Sequence, residues 1–319
     1  MWATLPESIA SDVLAFLGGR RLHETFTASA ASLALRALAN VSARQHLRSP
    51  YPATRLEALE AQTRLAERGL PPALHNVLAC AGDGDAEVRK TVAKALSYLV
   101  HPDDEEAPIV LAEALRMIKD QDDSVRKAGS ILLVSVARPQ DDAVVAALIG
   151  IACDADASVH VCQEVVGVLG TISGRGHSQA LGFVRACVGS TCLDVQREAI
   201  AALSEVAERG DESIVSLLCE SMADPDMIIR CAAIVSCSVL APIGHEEAVR
   251  SLVRALEDRW QSVRLRALVA LGAVAATGDA AATSAVALLL EDVDSEVKRA
   301  AERISAKLQG LAPEEQDAL

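Results

Sequence analysis

Aromatic side chains are almost missing from this sequence: three Phe, two Tyr and two Trp amount to 2% of it. Strands favour aromatic and β-branched residues on their pleated faces, so this scarcity argues against a sheet-built core. Ala, Leu and Val must fill the interior, within an apolar share of 51%. That mix suits helices, since Ala and Leu are strong helix formers and Ala permits close approach. Long apolar runs are lacking as well. One apolar run, Ala128 to Ala137, stops at Arg138, far short of the ~20 residues of a membrane span. No basic stretch followed by an apolar block opens the chain, which argues against a secretory signal. Residues 25–50 have the Arg, Ser and Ala of a transit peptide, but Glu7, Asp12 and Glu24 upstream argue against one. The expected compartment is the cytosol or nucleus.

Positive charge is in deficit, with 30 Lys and Arg against 44 Asp and Glu, a net charge of −14. Residues 1–56 carry six Arg and three acids, a balance of +3, so the remainder carries −17. Phosphate backbones need clustered cations, so nucleic acid is not expected as a partner, nor is a membrane. None of the eight cysteines (Cys80, Cys153, Cys162, Cys187, Cys192, Cys219, Cys231, Cys237) forms a C-x-x-C pair. Zinc and a disulfide framework are both disfavoured, and the thiols read as small apolar residues. No cofactor or metal is expected.

What the chain has is a period. Val88-Arg89, Val125-Arg126, Val159-His160, Val195-Gln196, Ile229-Arg230, Val263-Arg264 and Val297-Lys298 recur at gaps of 37, 34, 36, 34, 34 and 34 by subtraction, with Thr54-Arg55 a weaker eighth copy. Such regularity predicts a solenoid of stacked helix pairs. The unit Gly210 to Ala241 shows its construction. Asp211 caps a helix over 212–222, Asp224-Pro225-Asp226 breaks it, and a second helix follows over 227–240. An aspartate stands three places before the anchor at Asp85, Asp122, Asp156, Asp226 and Asp294. Another stands two places earlier still, at Asp83, Asp120, Asp154, Asp224, Asp258 and Asp292. Four places after the anchor a small residue is common: Ala58, Gly129, Ala199, Ala233, Ala267 and Ala301.

This grammar, D-x-x-V-R-x-x-A-x-x-x-L, resembles HEAT repeats over roughly residues 49–309, with the run Val263 to Leu271 a close match. The resemblance implies an all-α, right-handed solenoid of about eight helix pairs whose concave second helices bind protein partners. It further implies a ladder in which Asp85, Asp122, Asp156, Asp226 and Asp294 pair with Arg89, Arg126, Arg230, Arg264 and Lys298. Cys192 and Gln196 depart from it and interrupt the ladder.

Residues 1–47 read differently. Leu5-Pro6 opening an amphipathic helix, then Val13, Leu17 and Leu22, resembles an F-box, which docks on the Skp-type adaptor of cullin ubiquitin ligases. Ala28 and Ser32 depart where that family often has Val and Trp. The alternative is a helical cap closing the solenoid's end. The solenoid itself is expected over residues 48–309, and residues 310–319 read as a solvated acidic tail.

No reactive constellation emerges. Asp83-Gly84-Asp85 lacks the terminal Glu of a calcium loop, since the twelfth place is Lys94. His23-Glu24 and His245-Glu246 are too few for the di-iron site of deoxyhypusine hydroxylase, a family with similar repeats. Phycobilin lyases share the grammar, but nothing here offers a stacking surface for a tetrapyrrole. Gly174-Arg175-Gly176 lacks the rest of a nucleotide fingerprint.

A partner face can nevertheless be proposed at offsets +2, +6 and +9 from each anchor. It runs from Lys90, Lys94 and Ser97 through Ile131 and Val134, then Val161, Val165 and Val168, then Val235, Leu265 and Val269, to Arg299, Arg303 and Ala306, with Arg197, Ala201 and Ser204 interrupting. An apolar middle with basic ends suits an amphipathic or acidic-ended segment. The expected function is a non-enzymatic scaffold, with an F-box-type substrate receptor as the alternative and a repeat-type lyase or hydroxylase third.

Overall fold

In the computed structural model, residues 41–66 and 71–310 are described, and every regular element among them is a helix. Eight long helices carry the repeating anchors, all but α1 and α9 after aspartate-containing turns: α1 (Pro52–Ala66), α3 (Ala86–Leu99), α5 (Asp123–Val136), α7 (Val159–Ile172), α9 (Leu193–Val206), α11 (Met227–Leu240), α13 (Gln261–Val274) and α15 (Ser295–Leu308). Shorter helices alternate with them: α2 (Pro71–Leu78), α4 (Ala107–Met117), α6 (Asp142–Ala152), α8 (Ser178–Cys187), α10 (Glu212–Ser221), α12 (Glu246–Ala255) and α14 (Ala280–Leu288).

The chain forms two compact units, residues 1–138 and 139–319. In the first, helical residues 41–46 bury Ala43 with Ala61 of α1. The pairs α2–α3 and α4–α5 follow. The second unit holds five pairs, α6–α7 to α14–α15. Long helices pack side by side, α1 on α3 and α3 on α5, then α7 on α9 and onward to α15. Short helices make the second layer, with α6 beside α8 and α10 beside α12 beside α14.

The two aspartates of each turn do different work. Asp85, Asp122, Asp226 and Asp294 accept the free N–H groups of their own helices, at Val88, Ser124 and Val125, Ile228 and Ile229, and Glu296 and Val297. They are caps and not the rungs of the ladder. The rungs use the earlier aspartate of the next repeat. Arg55 grips Asp83 through Nε and Nη2, both at 2.7 Å. Arg89 grips Asp120 at 2.8 and 2.8 Å, Arg230 grips Asp258 at 2.7 and 3.1 Å, and Arg264 grips Asp292 at 2.8 and 2.7 Å. Each remaining Nη1 donates to carbonyls of its own turn, as Arg89 does to Asp83 and Gly84. The planar fork thus bridges two turns, which a lysine could not do. Arg126 instead bonds Asp123 of its own helix. Lys298 stands on the last described long helix and Asp156 is exposed.

One repeat is out of register with its sequence. The cap of α7 is Ser158, which accepts from Val161, so Val161 takes the anchor place and Val159 is 49% exposed. Cys162 therefore stands where the other repeats carry arginine, and its thiol donates to the Ala152 carbonyl. Two valines two residues apart made the choice of anchor ambiguous.

A backbone staple joins successive pairs of the second unit. The N–H groups of Gly176, Gly210, Gly244 and Gly278 donate to the carbonyls of Val206, Leu240, Val274 and Leu308 at 2.8, 2.8, 2.7 and 2.8 Å. These glycines hold φ between +79° and +85°, where a Cβ is penalised. Gln140, at φ +61°, donates likewise to Ile172. After the staple come the caps of the short helices, among them His177 and His245. Their Nδ1 atoms accept from Ala180 and Ala248, which leaves Nε2 to donate to Asp142 and Glu212, both at 2.9 Å. His245 is thus a structural cap, and Gly176 belongs to a staple.

Candidate partner-binding face

Residues four apart stand one above another on a helix, and the exposed row of each long helix follows that step. In the first unit the row is Lys90, Lys94 and Tyr98 on α3, beside Ile131 on α5, with Val134 also exposed. Lys90 is paired with Glu87. In the second unit the row on α11 is Cys231, Val235 and Val239, and that on α13 is Leu265, Val269 and Ala273. Val235, Val239 and Val269 are 44%, 42% and 56% exposed. No charge interrupts either row, because Arg230 and Arg264 are turned into the ladder.

The neighbours on either side differ. On α15, Arg299, Arg303 and Lys307 form an exposed basic row, and Arg266 of α13 is exposed as well. On α9, Arg197, Ala201 and Glu205 form a mixed one, with Arg197 near Asp194 at 3.8 Å. Burial pushes the Glu198 carboxyl above its ordinary value; Arg197 opposes that shift and Glu164 reinforces it.

Of the residues expected here, Ile131, Val235 and Val269 are exposed as large apolar groups, Leu265 and Lys90 are half-buried, and Lys94, Arg299 and Arg303 are exposed. Val161, Val165 and Val168 are buried and belong to the core of α7, a consequence of the two-residue register shift. Ala306 is buried too. Tyr98, Val239, Ala273 and Lys307 were missed because the row continues ten places after the anchor, whereas the ninth place is half-buried or buried on these helices. A step of four held throughout would have found them. Leu5, Pro6, Val13, Leu17 and Leu22 lie outside the described residues.

The thiols add no second centre. All eight are unbridged, and burial foremost pushes Cys80 and Cys187 up to about 11, keeping them protonated at neutral pH. Among the described residues no cluster of His, Cys, Asp and Glu is placed to hold a metal ion, and no helix is long and apolar enough to cross a membrane.

A family model for HEAT repeats matches residues 40–135. Comparison with the curated proteins gave no match. Among solved structures, the chain is similar to one from a Kap95:Nup1 complex, at 13% identity, 90% coverage of this chain, 42% of that chain and a TM-score of 0.66. It is also similar to the karyopherin Kap121p bound to the extreme C-terminus of the protein phosphatase Cdc14p, at 14% identity, 86% coverage of this chain, 34% of that chain and a TM-score of 0.63. The chain therefore spans about a third of the Kap121p chain's length. At such identities the likeness shows the fold, an all-helical solenoid of HEAT repeats.

Proposed function

We propose that this protein is a non-enzymatic interaction scaffold of the cytosol or nucleus, binding a partner protein on the exposed rows of α11 and α13. The observation that carries this reading is the uncharged pair of rows with Val235, Val239 and Val269 exposed on neighbouring helices. Adjacent apolar rows rimmed by charge are a common form of docking surface for protein segments. Kap121p and Kap95, of similar fold, were solved with the Cdc14p C-terminus and with Nup1.

The test compares proteins captured by the full chain with those captured by Val235→Glu/Val269→Glu, each first shown to be folded by circular dichroism. A specific set retained by the wild type and lost by the variant supports the reading. Identical sets would move the interaction elsewhere on the molecule.

The adaptor-docking alternative rests on Leu5, Pro6, Val13, Leu17 and Leu22 in the sequence. Capture of a Skp-type adaptor that Leu5→Ala/Pro6→Ala abolishes would establish it.

A further inference from the structure

We infer that the second unit carries a cleft for a guanidinium group where its ladder is incomplete. In four rungs the aspartate receives a two-pronged guanidinium, with contacts from 2.7 to 3.1 Å. At the corresponding place on α9 stands Gln196, whose amide makes a single 3.2 Å bond to Oδ2 of Asp224. Oδ1 of Asp224 keeps the Asp226 N–H at 2.8 Å, as Oδ1 of Asp120 keeps that of Asp122 at 2.9 Å. In the complete rung, however, Oδ1 of Asp120 also accepts from Arg89. That second acceptor position has no guanidinium at Asp224.

The other half of the seat is also in place. Arg89, Arg230 and Arg264 send Nη1 to two carbonyls of their own turns. The equivalent carbonyls before α9 are those of Ser190 and Thr191, which accept from no donor among the described residues. Around Gln196 and Asp224 opens a cleft of about 450 Å³, with Val188 and Leu217 as apolar wall, Arg185, Gln196, Glu220 and Asp224 as polar lining, and Gly189, the residue before Ser190, at its edge. The acceptors that hold an arginine in the sister repeats are thus assembled without one. Space remains for the group and for an aliphatic stem, which identifies the ligand as an arginine side chain or a free guanidino compound. A guanidinium matches a carboxylate in two parallel bonds, whereas an ammonium offers a point charge. The cleft lies at the turns and is independent of the rows on α11 and α13.

Titration calorimetry of the full chain tests this, with three probes: N-acetyl-arginine methylamide, the citrulline analogue and free L-arginine. The blocked arginine is expected to bind saturably, and the citrulline analogue about tenfold more weakly because it loses the charge-assisted fork. Free arginine binding as well as the blocked form would make the ligand a small molecule, while preference for the blocked form would make it a residue of a partner chain. Gln196→Arg, which fills the seat from within, should abolish binding while remaining folded. Citrulline binding equally well, absence of saturable heat, or unchanged binding by Gln196→Arg would each overturn the inference. Arg185 also lines the cleft. Binding that appears only in Arg185→Gln would show the seat already filled in the native chain, and would overturn it too.

Discussion

Two valines of similar appearance separate core from surface. Val165 has no exposed area and packs within α7, whereas Val269 is 56% exposed on α13. Val165→Glu buries an unpaired carboxylate and is expected to unfold its repeat, while Val269→Glu should leave the circular dichroism melt within about 0.5 kcal/mol of wild type. The sequence alone placed both on one face, because counting from Val159 instead of Val161 turns α7 by two residues. Glycines offer a second contrast. A Cβ at Gly244 would meet nothing within 4 Å, so the cost of Gly244→Ala comes from its φ of +82°, about 1 kcal/mol by chemical denaturation. The rung aspartates set the response to acid. Burial by itself would raise the Asp120 and Asp258 carboxyls, yet hydrogen bonds from Arg89 and Arg230 hold both below the usual range. A depressed carboxyl contributes stability above its unfolded value of about 4 and loses it as pH falls through the lower folded value. Melting temperature should therefore change little from neutral pH down to about 5 and drop below about 4. A fall already complete at the upper end of that range would assign acid sensitivity to other groups.

At the level of helices and their joints, the turn grammar was legible because capping aspartates, breaking residues and apolar steps recur in most copies, with Ser158, Cys192 and Trp260 the departures at the cap. What could not be read was which of two recurring aspartates capped and which formed the rung. Both stand at fixed distances from the arginine in sequence, and only the stack shows that the arginine reaches forward into the following turn. The staples were missed for a different reason. Gly176, Gly210, Gly244 and Gly278 are 34 apart by subtraction, but a glycine before a cap reads simply as a turn. The incomplete rung gives a direct test of the ladder's value. Gln196→Arg should restore the fork to Asp224 and stabilise the chain by about 1 kcal/mol, seen as a higher melting temperature. No gain would mean that α9 and α11 hold their turns at a spacing the fork cannot bridge. Arg264→Ala should cost about 3 kcal/mol, since it leaves the buried Asp292 carboxylate without its partner.

Across the whole molecule, the architecture was the most legible property and the partner the least. Eight copies average out a degenerate position such as Cys162, so the period survives, whereas an exposed row such as Cys231, Val235 and Val239 obeys no packing rule that would name what it meets. A stack in which each repeat touches its neighbours also confines damage. Hydrogen exchange should quicken around α11 to α15 in Arg264→Ala and stay unchanged in α1 to α5; uniform acceleration would mean that the chain unfolds as one cooperative body. The staples carry a last implication, one of time. Gly176 to Val206, Gly210 to Leu240, Gly244 to Val274 and Gly278 to Leu308 each span 30 residues by subtraction. Closing a loop that short costs little entropy and keeps contact order low, which favours rapid folding. Each pair can therefore be sealed as soon as the next long helix leaves the ribosome, so that the nascent chain is secured one repeat at a time, with the newest helix alone awaiting its neighbour.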